Sequence, residues 1–141
     1  MSIEENKALY RRAIEEFNKR NLAALDEIFA ANFVGHAASM GDIRGPEGLR
    51  QFLTTLFTAL PDLHYTVEDV IAEGDKVVGH YRTTRTHKGE WRGVAATGKQ
   101  VKSTGIAIYR IVGGKTVETW WEADMLGMMQ QLGAIPTPGQ G

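Results

Sequence analysis

The sequence predicts an α+β fold in which helices pack on one face of a largely antiparallel sheet. Through roughly the first 60 of its 141 residues, apolar side chains recur at helical spacing. From His64 onward, β-branched and aromatic residues concentrate, and glycine pairs such as Gly113-Gly114 stand where tight turns join strands. Helices followed by a strand meander are typical of one sheet covered by helices on one side.

The first two helices are predicted from their caps and apolar stripes. Ser2 and Glu5 match a capping box, so we predict a helix that begins there and runs to about Arg20. Asn21 can cap a second, shorter helix. Its apolar stripe consists of Leu22, Leu25, Ile28 and Phe29.

A polar segment separates these helices from the third. Residues 32–45 predict a loop, and Gly45-Pro46 predicts the start of a helix, because the proline lacks only an N–H that the first turn leaves unbonded. Pro61 ends this helix. Its stripe, the most regular in the chain, consists of Leu49, Phe52, Leu53, Leu56, Phe57 and Leu60.

The second half of the chain predicts four strands and a last helix. Gly74-Asp75 and Gly113-Gly114 are the expected hairpin turns, and Gly133 is a left-handed cap that ends the helix. The predicted strands are 64–73, 75–87, 98–112 and 115–123, and the helix is 125–132. Length and composition fit one domain over residues 1–135 with a flexible tail over 136–141.

Composition excludes several classes of function. The net charge is −1, which favours neither nucleic acid nor an anionic membrane as a partner. The absence of cysteine excludes thiol chemistry and agrees with a reducing compartment. No apolar run has the length of a signal peptide or a membrane span, so we expect a cytoplasmic protein.

The four histidines do not predict a metal site. They stand at positions 36, 64, 80 and 87, without the H-x-x-H or H-E-x-x-H spacing of a zinc site. We therefore expect neither a metal nor a cofactor. His64 is expected to be structural, and nothing favours a particular role for His80.

Four short segments of the second half form a pattern. They are T-H-x-G at 86–89, T-G-K at 97–99, E-x-W-x-x-x-D at 118–124 and Q-L-G at 131–133. Together they resemble the SnoaL-like polyketide cyclase family of the nuclear-transport-factor-two-like superfamily, except that Ala96 stands where the family usually has proline. The resemblance implies a cone, a cystatin-like α+β barrel in which a curved antiparallel or mixed sheet wraps around three N-terminal helices.

The resemblance implies a pocket at the open end of the cone, with a catalytic carboxyl at Asp124 and a wall at Trp120. In a regular strand, Glu118, Trp120, Glu122 and Asp124 share one face. An indole beside an aspartate raises the pKa of the carboxyl and makes it a better base. Without the resemblance, Asp124 would be interpreted first as the cap of the following helix.

The strand at 75–87 supplies further candidates. The family places a large aromatic residue at Tyr81, which assigns the odd-numbered face, and with it Arg85, to the pocket. Arg85 can neutralise a substrate carboxylate or an enolate oxygen, although a surface salt bridge is an equal alternative. The resemblance also favours His36 and His87 as pocket residues, each with a structural role as the alternative.

Two further residues complete the candidate site. Phe33 is expected to help set the pocket volume. Glu118 is expected at the pocket, where a second carboxylate would keep one of the pair protonated, or else at the solvated rim. The expected ligand is a small, hydrophobic or aromatic carbonyl compound.

Two classes of function follow. The first is a cofactor-independent cyclase, isomerase or lyase that uses Asp124 as general acid or base, with polyketide-like aldol ring closure as the family prototype. An epoxide hydrolase is a variant of this class and would need Arg85 between Asp124 and Glu122. The second class is a noncatalytic ligand-binding or dimeric module. Trp121, expected on the outer sheet face, and the family's habit of pairing through the sheet predict a homodimer.

Overall fold

The computed structural model describes residues 2–37, 41–90 and 93–136, which form four α-helices and one curved six-stranded sheet. The helices are α1 (Ile3–Lys19), α2 (Leu25–Ile28, preceded by a 3-10 turn at Leu22–Ala24), α3 (Gly45–Ala59) and α4 (Met125–Gln131). The strands are β1 (Phe29–His36), β2 (Asp42–Arg44), β3 (His64–Glu73), β4 (Lys76–Thr86), β5 (Gln100–Val112) and β6 (Lys115–Ala123). The predicted α+β class is therefore confirmed.

The helix boundaries follow the capping signals of the sequence. The Ser2 hydroxyl accepts a hydrogen bond from the Glu5 N–H, and the Glu5 carboxylate accepts one from the Ser2 N–H, so the capping box is present. Arg20 ends α1 in the left-handed conformation, at a φ of 60°. Pro46 lies in the first turn of α3, as predicted.

The predicted loop at 32–45 is wrong, because most of this segment is β-structure. Strand β1 begins at Phe29, which therefore does not belong to the second helix, and β1 runs parallel to β6 and antiparallel to β2. Its Phe29, Phe33 and Gly35 point into the core. The pairing register shifts between Phe29 and Val34, and this irregularity breaks the alternation from which a strand is predicted.

A β-bulge in β6 decides which side chains reach the inside of the sheet. The six strands lie in the order β2-β1-β6-β5-β4-β3. Thr116 pairs with Ile111 and is buried, but the next pair is Glu118 with Arg110, so Val117 is an extra residue. The extra residue reverses the alternation beyond it. Trp121 then faces inward and Trp120 outward.

Helices α1 and α3 pack in the concave side of the sheet, where two glycines let large rings approach closely. A Cβ on Gly79 in β4 would lie 2.1 Å from the Tyr10 hydroxyl oxygen, and a Cβ on Gly105 in β5 would lie 2.4 Å from that of Tyr81. Both tyrosine rings therefore occupy space that any other residue would take.

The structure bears only in part on two further predictions, the C-terminal tail and the absence of a membrane span. Of the predicted tail at 136–141, residues 137–141 lie outside the described residues. Within the described part of the chain, none of the helices has both the length and the apolar character needed to cross a membrane.

Candidate functional site

A cavity of about 140 Å³ lies between α1, α3 and the concave face of the sheet. Its walls are mainly apolar, and the leucines of the α3 stripe form one side. Those leucines are Leu49, Leu53, Leu56 and Leu60. An apolar cavity of about 150 Å³ is large enough to bind benzene, so this one has room for a ligand body of about one six-membered ring.

Arg85 is the one charged side chain among the described residues that line this cavity. It is 8% exposed, and its Nη1 donates a hydrogen bond to the Thr83 hydroxyl. Burial lowers the pKa of the guanidinium below its ordinary value, since a charged group is disfavoured away from water. The cavity thus has an apolar body with one cationic point.

Tyrosine side chains form a second group of polar residues in the cavity wall. Tyr10, Tyr65, Tyr81 and Tyr109 all line it. Burial raises the pKa of each of them, that of Tyr81 to about 12, so the phenols keep their protons at neutral pH. The hydroxyls of Tyr10 and Tyr109 are buried without a hydrogen-bond partner among the described residues. Each is a hydrogen-bond donor that the described part of the chain leaves unused.

Asp124 does not lie where the resemblance predicted it. The residue is exposed and is the N-cap of α4, where its Oδ1 accepts a hydrogen bond of 2.9 Å from the Gly127 N–H. Like Trp120, Asp124 is even-numbered and lies on the outward side that the β6 bulge assigns to even-numbered residues. Its chain neighbours Ala123 and Met125 do line the cavity. The carboxylate is therefore not part of the cavity lining, although Asp124 adjoins two lining residues along the chain.

The prediction that Trp120 lines the pocket is wrong, since its indole lies on the outer face of the sheet. It stacks on His36, with ring centroids 5.5 Å apart. His36 in turn contacts Glu118 (Nε2 to Oε2, 2.7 Å) and Asp42 (Nδ1 to Oδ1, 3.0 Å). His36 and Glu118 are thus also wrong as pocket residues, because they form a surface cluster with Trp120.

The outward tryptophan changes the surface on which a dimer was predicted. Trp121 is inward, within 6.3 Å of the Tyr109 and Phe33 ring centroids, and is not the exposed indole. Strand register instead aligns one row across the outer face. The row consists of Ile71, Val78, Ile108, Trp120 and His36. The homodimer stays a prediction, and the expected interface is now this row of residues.

The surface cluster makes stability depend on pH in a defined direction. Hydrogen bonds to Glu118 and Asp42 raise the pKa of His36 above 6.5, and the bond with His36 lowers that of Glu118 below 4.5. The raised pKa of His36 stabilises the fold fully below pH 6.5, and this contribution is lost as the pH rises through the pKa of His36 in the folded state. The lowered pKa of Glu118 stabilises the fold above pH 4.5, and this contribution is lost as the pH falls through the pKa of Glu118 in the folded state. The contribution is greatest between about pH 4.5 and 6.5.

We expect His36→Phe, which can keep the stacking on Trp120, to lower the melting temperature more at pH 6 than at pH 9. Thermal melts of both proteins across this range measure the difference. His80→Phe is the control, because His80 is exposed on the outer face and has no salt bridge among the described residues. An equal loss at both pH values would contradict the assignment of the ion pairs.

His87 and Phe33 are buried but lie away from the cavity lining. His87 is 0% exposed; its Nδ1 accepts a hydrogen bond from the Thr97 N–H and is 3.1 Å from the Thr97 hydroxyl, while its Nε2 has no partner among the described residues. Phe33 packs on Phe29, with ring centroids 4.8 Å apart. Over the described residues, no group of three histidine, aspartate or glutamate side chains is placed to hold a metal ion.

Of the eight candidate residues, the structure brings only Tyr81 and Arg85 together at the cavity. Tyr10, Tyr109 and Trp121 also line the cavity and were not predicted as site residues from the sequence. Tyr10 belongs to the apolar stripe of α1, and a hydroxyl within such a stripe is a usable signal, since a buried phenol needs a partner. Trp121 carried no comparable signal, because its inward position depends on the bulge in β6.

The curved mixed sheet around helices, with a cavity in its concave side, defines a small-molecule pocket protein of the nuclear-transport-factor-two-like fold. The sequence profile of the SnoaL-like polyketide cyclase family matches residues 7–132. The chain belongs to this family. No curated protein matches it significantly.

Solved structures agree with this assignment. AclR, a proposed hydroxylase from Streptomyces galilaeus, is 28% identical with a TM-score of 0.84, covering 96% of this chain and 100% of its own. IdmH, a proposed polyketide cyclase from Streptomyces antibioticus, is 29% identical with a TM-score of 0.82, covering 91% and 98%. A proposed SnoaL-like polyketide cyclase from Jannaschia sp. CCS1 is 26% identical with a TM-score of 0.87, covering 96% and 97%.

Proposed function

We propose that this chain is a cofactor-independent enzyme that transfers a proton within a small, mostly apolar carbonyl compound, as in cyclisation or isomerisation. The observation that carries the proposal is the apolar cavity, which is lined by four protonated tyrosines and by Ala123 and Met125, the chain neighbours of Asp124. The name of IdmH, a proposed polyketide cyclase, supports ring closure as one such reaction.

The proposed chemistry needs a base and a group that stabilises the enolate. Asp124 would take the proton from the carbon beside the carbonyl: its Oδ1 is bonded to the Gly127 N–H, and its Oδ2 has no hydrogen-bond partner among the described residues. Tyr10 and Tyr109 would donate hydrogen bonds to the enolate oxygen. The same carboxyl could then return the proton to carbon or oxygen.

The contact between Gly127 and Asp124 defines where the carboxylate lies. A Cβ on Gly127 would lie 2.2 Å from Asp124 Oδ2, so the carboxylate rests directly against the first turn of α4. This position agrees equally with a cap that has no catalytic role. The two roles are separated by a substitution that keeps the cap and removes the base.

Asp124→Asn is that substitution. Asparagine caps a helix about as well as aspartate, so we expect the free energy of unfolding to stay within a few tenths of a kcal/mol. Loss of the base is expected to slow proton transfer about 10²- to 10⁴-fold. Deuterium incorporation from D₂O into a panel of small β-dicarbonyl compounds, followed by NMR, measures this rate.

Asp124→Ala is the control for the cap, because it is expected to lose about 1 kcal/mol of stability along with activity. An Asn variant as active as the wild type would leave Asp124 as a cap only. A wild type that is silent on the whole panel, yet binds its members, would favour the noncatalytic ligand-binding module.

The epoxide hydrolase alternative finds no support at Arg85. Such an enzyme needs the guanidinium between two carboxylates, whereas Arg85 has no salt bridge to any residue that the structure describes. Glu122 is exposed on the outward side of β6, with the parity of Glu118.

A further inference from the structure

Arg85 is a buried cation for which the described part of the chain provides no counterion. Its side chain lines the cavity, and none of the other described lining residues is charged. A buried charge without a partner is costly, and proteins usually pair such groups or let them bind a charged ligand. The missing negative charge is therefore expected to come from outside the chain.

The hydrogen-bonding groups of Arg85 are also incompletely used. A guanidinium has five N–H donors in one plane. Within the described residues, the one hydrogen bond from this side chain goes to the neutral Thr83 hydroxyl, and the buried Nε has no partner. The edge formed by Nε and one Nη is one of the two edges of a guanidinium that can hold a carboxylate through two parallel hydrogen bonds.

The polar groups near Arg85 occupy one part of the cavity wall. Thr83 and Ser103 are direct partners across β4 and β5, and both are buried cavity residues. The α3 leucines form the apolar part. A ligand that satisfies both parts has one anionic end and one apolar body.

We propose that the ligand of this cavity is a small carboxylic acid whose carboxylate pairs with Arg85 and whose apolar body is about the size of one six-membered ring. A phosphate ester is a poorer match, because one cation and two hydroxyl groups do not balance a dianion. The proposal rests on the proposed function in so far as the cavity is the site where the substrate binds.

Benzoate and benzamide test the proposal, because they share a shape but differ in charge. In isothermal titration calorimetry at neutral pH, we expect benzoate to bind wild type about 10- to 100-fold more tightly than benzamide, as a charged hydrogen-bonded pair would give. Arg85→Met is expected to reduce benzoate affinity to that of benzamide and to leave benzamide unchanged. Arg85→Lys, which keeps the charge without the planar fork, should retain part of the preference.

Arg82→Met, on the opposite face of β4, is the matched control and should alter neither affinity. Equal affinities of the two probes in wild type, or unchanged benzoate binding in Arg85→Met, would overturn the carboxylate assignment alone. If neither probe binds wild type, the cavity is not a ligand site, and the proposed function fails with this inference. Loss of activity in Asp124→Asn with the preference for benzoate intact would show that catalysis by Asp124 and carboxylate binding by Arg85 are separate properties.

Discussion

Arg85→Met is expected to raise the free energy of unfolding of the ligand-free protein by about 1–4 kcal/mol, the gain found when some buried ion pairs are replaced by apolar residues of similar volume. In the folded state the guanidinium is 8% exposed and bonded to one neutral hydroxyl, whereas in the unfolded chain it is fully hydrated. Methionine replaces the aliphatic part of the arginine side chain with a flexible apolar one and carries no charge.

Urea unfolding of the two proteins without ligand measures this difference. Arg82→Met is again the control, since Arg82 is about half exposed and paired with Glu68 at 3.2 Å, and loss of such a pair changes stability by about 0–1 kcal/mol. A destabilised Arg85→Met protein would mean that the charge is satisfied in the absence of ligand. A stabilised variant that no longer binds benzoate would show that the cation is kept for binding at a cost in stability.

Most of the fold could be predicted because its elements are locally regular. The α3 stripe keeps helical spacing through 15 residues, and β4 alternates between buried and exposed side chains along its length. Strands β1 and β2 could not be predicted in the same way. β1 contains a register shift, and β2 has three residues, too few to show a period.

The site was predicted well only where a strand alternates without interruption. Tyr81 and Arg85 stand on the regular β4, so the assignment of its odd-numbered face placed both at the cavity. In β6 the extra residue Val117 exchanges the two faces, which moves Trp120 outward and brings Trp121 inward. A single bulge is set by pairing with β5, and the sequence of β6 alone does not contain that information.

Asp124 illustrates a different limit of sequence reasoning. The residue has the composition and position of a helix cap, and the structure uses it as one. The motif that it shares with the family adds the expectation of catalysis without altering this geometry. Both properties can belong to one carboxylate, because a cap occupies one oxygen and leaves the other available.

Gly79→Ala is expected to destabilise the fold by about 1–3 kcal/mol, the usual cost of overpacking a core. Its Cβ would lie 2.1 Å from Tyr10 Cζ and Oη, and Tyr10 is fully buried against Tyr109, at 4.9 Å between ring centroids. Because Tyr10 lines the cavity, displacement of its ring should also weaken ligand binding. Urea unfolding and probe titration measure the two effects.

Gly48→Ala is the matched control, because Gly48 lies inside α3 and a Cβ there would make an ordinary contact of 3.6 Å with the side chain of Ile43. Alanine is the better helix former, so this variant should be as stable as wild type or gain up to about 1 kcal/mol. Tyr10→Leu in the Gly79→Ala background is expected to cost less than Tyr10→Leu alone, since the shorter side chain relieves the overlap. Strictly additive losses would mean that Tyr10 does not fill the space above Gly79, and that the cavity wall is arranged differently.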